Sequence, residues 1–151
     1  MKISKLAFTG IVCLFYSCKS NKADQTQLNI AGTWRLVSSM AITKGDTLNT
    51  SPAKDIEMIK ILNATHFAFF KHDLNKGKGS SAVYDSGSGS YTLTGNNYDE
   101  HLQYCSARDW EDHHFKFTVT LKNDTLTQRG IEKIENLNVN REIVEIYTRK
   151  N

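Results

Sequence analysis

Residues 115–121 read Phe-Lys-Phe-Thr-Val-Thr-Leu, apolar and polar side chains in strict alternation. Successive strand residues point to opposite faces, so this segment has one face for a core and one for water. Shorter alternating segments bounded by Gly, Asn and Asp recur from Leu28 onward, and no window carries a sustained i, i+3, i+4 apolar stripe. The fold class is all-β. The pattern predicts strands near 33–40, 56–62, 65–72, 81–86, 89–94, 98–105, 114–121, 125–130 and 142–149. TGNNY at 94–98 and KNDT at 122–125 are tight-turn sequences, where Asn and Asp tolerate positive φ. Consecutive strands with hairpin-length joints predict an antiparallel up-and-down meander. Closing it into a barrel of about 8–10 strands removes the exposed edges, with a flat sheet or sandwich as the alternative.

The N-terminus has a different character. In MKISKLAFTGIVCLFYSC, Lys2 and Lys5 precede an apolar run from Leu6 to Tyr16, followed by Ser17 and Cys18. The run is about half the ~20 residues a membrane span requires, so it reads as a signal-peptide core over 1–17. A small residue followed by Cys resembles a bacterial lipoprotein signal, which would make Cys18 the lipidated first residue, although Phe15 and Tyr16 are bulkier than that box usually carries. An ordinary secretory signal or a short anchor is the alternative. Residues 18–27 then hold the lipidated Cys and a polar tether, KSNKADQTQ, and residues 28–151 form one domain. Losing the signal removes Cys13 and commits Cys18, leaving Cys105 with no disulfide partner. It also takes the formal charge from +3 to +1, because Lys2 and Lys5 leave with no acidic residue. Nucleic-acid binding needs a clustered basic face. Only KHDLNKGKG at 71–79 hints at one, and it reads as a solvated loop, so no nucleic-acid partner is expected.

Two ends of the chain carry a resemblance. GTWRLVSS at 32–39 is very similar to the start of the fatty-acid-binding proteins, and its Gly-x-Trp resembles the first signature of the wider lipocalin group. EIYTRK at 145–150 resembles those families' last strand, in which an arginine packs over the tryptophan and seals the barrel floor. The resemblance implies that Arg149 covers Trp34, an arrangement that a guanidinium over an indole favours. THF at 65–67, GSYTLTGNNYDEHLQY at 89–104 and FKFTVTLKNDTLTQRG at 115–130 resemble small bacterial lipocalin-like lipoproteins of unknown function. The expected fold is therefore a lipocalin-like (calycin) barrel. The chain departs from the fatty-acid-binding pattern at Glu145-Ile146-Tyr147, where those proteins offer an Arg-x-Tyr pair to a carboxylate head group. Residues 41–55 do not suit their two-helix lid, and the middle signature of the larger lipocalins is missing.

If Trp34 and Arg149 point inward, then Leu36, Ser38, Met40, Glu145 and Tyr147 follow by alternation. The alternative puts Val144 and Ile146 in the core and Glu145 in water. Tyr98, Glu100, Leu102 and Tyr104 form the more aromatic face of their strand and are expected inside, as are Phe115, Phe117, Val119 and Leu121. Leu126, Gln128 and Gly130 share a face beyond the KNDT turn. The candidate ligand-binding residues are Trp34, His66, Tyr98, Glu100, Tyr104, Phe117, Gln128, Glu145, Tyr147 and Arg149. An apolar pocket with a few convergent polar groups is what a small-molecule site needs. Buried carboxylates are costly unless paired, so Glu100 or Glu145 is expected to meet tyrosine, glutamine or Arg149. A neutral or cationic amphipathic ligand fits this set.

Five histidines, His66, His72, His101, His113 and His114, show no metal-ligand spacing, and Cys105 has no partner motif. No metal and no other cofactor is expected. No G-x-S-x-G, phosphate loop or defensible Ser, His and Asp set is present. The expectation is a non-enzymatic barrel, and enzymatic turnover is the alternative because a few barrels of this type catalyse isomerisations or hydrolyses. SARDWEDHH at 106–114 interrupts the strand rhythm; Trp110 there either folds down on the barrel or gates its mouth. Together these readings describe an envelope lipoprotein, lipid-anchored through Cys18 and facing the periplasm, whose barrel binds or carries a small, partly apolar molecule. The rival is an interaction module with a packed barrel, binding another envelope protein.

Overall fold

The structure is a computed structural model describing residues 28–80 and 82–150. The expected signal segment 1–17, the lipidated Cys18 and the tether to residue 27 lie outside the described residues. The strands are β1 (Gly32–Thr43), β2 (Asp46–Asn49), β3 (Ile56–Leu62), β4 (His66–Asp73), β5 (Tyr84–Thr94), β6 (Asn97–Cys105), β7 (His113–Lys122), β8 (Thr125–Ile134) and β9 (Val139–Arg149). All neighbours are antiparallel, and β1 pairs with β9. The eight strands β1 and β3–β9 thus close into an up-and-down barrel. The short β2 folds back as a hairpin on the far half of β1, from Met40↔Asn49 to Thr43↔Asp46.

Three differences from the sequence reading have physical causes. The two strands expected near 81–86 and 89–94 are one, β5, which begins at Tyr84 and runs on because Gly87 and Gly89 continue the ladder with β4 and β6. The hairpin strand β2 carries only exposed residues, so it has no alternation to betray it. Third, β1 is bulged at Val37: Leu36 pairs with Tyr147, but Ser38 pairs with Ile146. One extra residue reverses the faces beyond it. Trp34 and Leu36 are buried as expected, but it is Ser39 and Ala41, not Ser38 and Met40, that occupy the buried face further on.

The floor explains the Gly-x-Trp. Trp34 is fully buried and donates its indole N–H to the Ile30 carbonyl at 2.8 Å. Backbone register sets Arg149 directly opposite, and its guanidinium lies 4.2 Å from the Trp34 ring centre. From there Arg149 Nη1 donates to the Ala31 carbonyl at 3.0 Å, which ties the last strand to the segment entering the first. Gly32 has φ of +139°, and a Cβ there would stand 2.5 Å from Arg149 Nη1. Only glycine leaves room for the arginine that seals the floor.

Gly32→Ala is therefore expected to destabilise the barrel by about 1–3 kcal/mol, from backbone strain plus displacement of the Arg149 cap. Urea denaturation followed by fluorescence measures this; an unchanged midpoint would show that the cap does not depend on that space.

Candidate functional site

The lower barrel is filled by its own side chains. Tyr91, Tyr98 and Phe117 pack across neighbouring strands at centroid distances of 4.9 and 6.4 Å, above the Trp34 floor. Tyr98, Phe117, Val119, Leu126 and Tyr147 are all buried. Above them the interior is open, as a cavity of about 370 Å³. Its apolar wall comes from Met58, Phe69, Leu102, Phe115, Trp110 and Ile143, and its polar wall from Lys60, Glu100, Gln128, Glu132, Arg141 and Glu145. A neighbouring pocket of about 160 Å³ shares Met58, Glu132, Arg141 and Glu145 and extends to Thr50 and Pro52 in the β2–β3 connection. That connection is held against β1 by the Ser51 Oγ, which accepts from the Ser39 N–H at 3.0 Å, and by a 2.8 Å hydroxyl contact of Ser39 with Thr50.

Between the packed floor and the cavity sits a buried ion pair. Lys60, 4% exposed, donates to Glu100 Oε2 at 2.8 Å and to Gln128 Oε1 at 2.9 Å. Its ammonium also lies 5.0 Å from both the Phe67 and Tyr98 rings. The Tyr98 hydroxyl donates to the same Glu100 oxygen at 2.9 Å; burial, then that carboxylate, pushes the phenol's pKa far up. Higher up, Arg141 Nε donates to Glu132 Oε2 at 2.7 Å while its guanidinium lies 5.6 Å from the Trp110 ring. Burial raises the Glu132 carboxyl, with Arg141 opposing it. Glu145 accepts from the Tyr147 hydroxyl at 2.6 Å. Desolvation raises the Glu145 carboxyl, and Lys60 and that phenol oppose the rise.

The structure brings most of the sequence candidates to one interior, but in different roles. Glu100, Gln128, Glu145, Tyr147 and Phe117 line the cavity. Trp34, Tyr98 and Arg149 belong to the packed floor beneath it. As expected, Glu100 and Glu145 each meet a tyrosine, and Glu145 with Tyr147 faces inward in place of Val144 and Ile146. Two candidates are corrected. Tyr104 is 66% exposed on the outer face. Ser88 pairs with Tyr104 and Gly89 with Leu102, so Gln103 is an extra residue that turns Tyr104 out and Cys105 in. A Cβ on Gly89 would fall 1.8 Å from the His101 carbonyl oxygen, which is why glycine faces the bulge. His66 is likewise exposed, with Nδ1 2.8 Å from the Thr65 hydroxyl, while its neighbour Phe67 fills the interior.

Lys60, Arg141 and Glu132 escaped the sequence reading. In Ile56–Leu62 the apolar residues fall on both faces, and only the register Trp34↔Lys60 decides that the lysine goes inside. Trp110 stands at the mouth, in a one-turn 3-10 helix (Arg108–Trp110). Its ring packs 6.1 Å from Phe115, so it is both folded onto the barrel and part of the cavity wall. Among the described residues no group of three His, Cys, Asp or Glu side chains is placed to hold a metal ion. His101 and His114 instead stack at 4.0 Å, with His101 Nε2 2.7 Å from Asp112. Lys76 and Lys78 of the basic loop are exposed, and the loop is organised by Asp73, whose carboxylate accepts from the Asn75, Gly77 and Val83 N–H groups.

The chain matches no family model, no curated protein and no solved structure. The closed eight-strand barrel is compatible with a lipocalin-like fold.

Two outcomes follow from the buried charges. Lys60→Met leaves Glu100 without its cation and is expected to cost about 3–5 kcal/mol, whereas Lys60→Met with Glu100→Leu should recover most of that loss. A double-mutant cycle in urea measures the coupling. Because the folded Glu145 carboxyl binds its proton more tightly than the ordinary value of 4.5, the native state holds more protons than the unfolded chain above that pH. Its contribution therefore lowers stability as pH rises from about 4.5 through the raised value. Glu145→Gln should flatten that decline, and parallel stability–pH curves for the two proteins would contradict it.

Proposed function

We propose that the chain is an envelope lipoprotein whose barrel binds or carries a small, partly apolar molecule. The observation that carries this reading is the division of the interior. An interaction scaffold gains most from a barrel packed throughout by its own side chains, and a carrier needs space. Here the barrel is filled up to the Lys60–Glu100 layer, and above it Phe115 and Trp110 form part of the wall around about 370 Å³. That volume is within the range of about 300–1,000 Å³ common for small-molecule sites, and it combines an apolar wall with convergent polar groups. Trp110 at the mouth suits a side chain that covers a bound molecule. The reading assigns no catalytic step, no nucleic-acid partner and no cofactor. Its envelope half rests on the N-terminal pattern ending at Cys18, with the polar residues 19–27 giving the barrel reach from a membrane surface, periplasm-facing.

A second reading, a module that binds another envelope protein, has one observation in its favour. Tyr84 and Tyr104 are 69% and 66% exposed on the outer wall of β5 and β6. Large exposed aromatics of this kind are enriched where proteins meet.

Native mass spectrometry of the protein purified from its host, before and after unfolding and refolding, separates the two. An extra mass that disappears on stripping is the expected result and begins to identify the cargo. A clean apo mass together with no dye entering the barrel would favour the interaction module. The intact mass of the same sample also reads the lipid expected on Cys18.

A further inference from the structure

Resting on the carrier reading, we propose that the barrel selects an amine cation with an apolar body, its ammonium held by the Glu145 carboxylate and its apolar part laid along Leu102 and Phe115. The argument is one of charge and hydrogen-bond balance inside the cavity. Four carboxyl groups line it, Asp85, Glu100, Glu132 and Glu145, against three cations, Lys60, Lys71 and Arg141. Lys60 is committed to Glu100 at 2.8 Å, and Arg141 to Glu132 at 2.7 Å. Lys71 and Asp85 are directly opposed across the β4–β5 ladder. They form no direct ion pair, and Asp85 accepts from the Ser106 hydroxyl instead. The cavity thus holds one carboxyl more than it holds cations, and Glu145 is bonded by none of the three. The hydrogen bond to its side chain comes from a neutral phenol, Tyr147, and engages Oε2.

An anionic ligand meets the opposite situation. Two of the three cations it would need, Lys60 and Arg141, are already held by carboxylates, Arg141 is held further under Trp110, and the third, Lys71, lies opposite Asp85. A neutral ligand would leave Glu145 as a desolvated acid with no charge to offset it, which costs free energy whenever the group ionises. An ammonium donor offsets that cost and supplies charge-assisted N–H bonds to the carboxylate. The groups facing Glu145 are Ser39 from β1, Lys60 from β3, Glu100 from β6, Gln128 and Glu132 from β8, and Tyr147 on its own strand. Lys71 from β4 and Arg141 on its own strand line the same two pockets as Glu145. Lys60 is bonded to Glu100 and Gln128, and Arg141 to Glu132. Burial raises the free Glu145 carboxyl. A bound cation favours the ionised form, so amine uptake should release a proton and weaken as pH falls.

Octylamine, octanol and octanoate form a matched series in which only the head group changes. Titrating the full chain with each, reading both Trp110 fluorescence and ligand occupancy by native mass spectrometry, tests the proposal. Octylamine is expected to bind at least ten-fold more tightly than the other two, the scale of one charge-assisted hydrogen bond. Glu145→Gln keeps the Tyr147 contact and removes the charge; it should erase that preference while leaving octanol affinity within about two-fold. Thermal melting of the variant checks that it is folded. Octanol or octanoate binding as tightly as octylamine, or an amine preference that persists in Glu145→Gln, would overturn the amine proposal and leave the carrier reading intact. If a folded protein takes up none of the three, the carrier reading fails and the amine proposal with it.

Discussion

The register that sets Trp34 opposite Arg149 is the constraint on which the remaining structure depends. A meander of eight strands has two free edges, and a free edge is a row of unpaired N–H and C=O groups. Pairing β1 with β9 removes both. The same pairing brings a guanidinium over an indole at the floor end of the β1–β9 ladder, so closure of the backbone and sealing of the floor are a single event. Once Trp34 is fixed inward, its partners on either side are fixed too: Lys60 on β3 through the β1–β3 ladder, and Tyr147, two residues before Arg149, on β9. The inner charges are consequences of that register.

Lys60 shows what a closed barrel does to a charge. In water a lysine ammonium is well solvated, and moving it into the interior is costly unless partners replace the water. Glu100 and Gln128 replace part of it directly, and the Phe67 and Tyr98 faces lie close around the rest. Replacing such a pair with apolar residues is often neutral or stabilising, so stability alone does not account for the polar layer. What the layer does geometrically is mark the level at which the cavity opens. Below it the side chains interdigitate; above it Phe115 and Trp110 still pack on each other, and the cavity lies against that wall.

Fold class, most strand positions and the Trp34–Arg149 contact were legible in the sequence because each rests on a local signal: alternation in 115–121, turn chemistry at 94–98 and 122–125, and two end motifs. Side-chain direction was legible only as far as strands stay regular. The bulges at Val37 and Gln103 each insert one residue, and Ser38, Met40 and Tyr104 fall on the other face from the one that alternation gives them. For Tyr104 a signal existed. The glycines of SGSGS at 86–90 sit inside a strand, where glycine marks close approach of another backbone, and Gly89 faces the bulge. For Lys60 there was none, since IEMIKIL is apolar on both faces and its direction comes from a neighbour in space. His66 was misplaced for a related reason: in THF it is Phe67 that the core requires, and one residue of offset sends the imidazole to water.

The two bulges also bear on how the site is built. Each lies above the packed floor, and each exchanges a larger inward side chain for a smaller one. At β1 the bulge replaces Met40 with Ala41 on the inner face, and at β6 it replaces Tyr104 with Cys105. Cys105 lines the cavity, and Ala41 lines the adjoining pocket. Had alternation continued unbroken, a tyrosine and a methionine would project into the upper barrel and reduce the open space there. The irregularities in the strands are thus the features that leave room inside, while the register between β1 and β9 decides which charges that room presents.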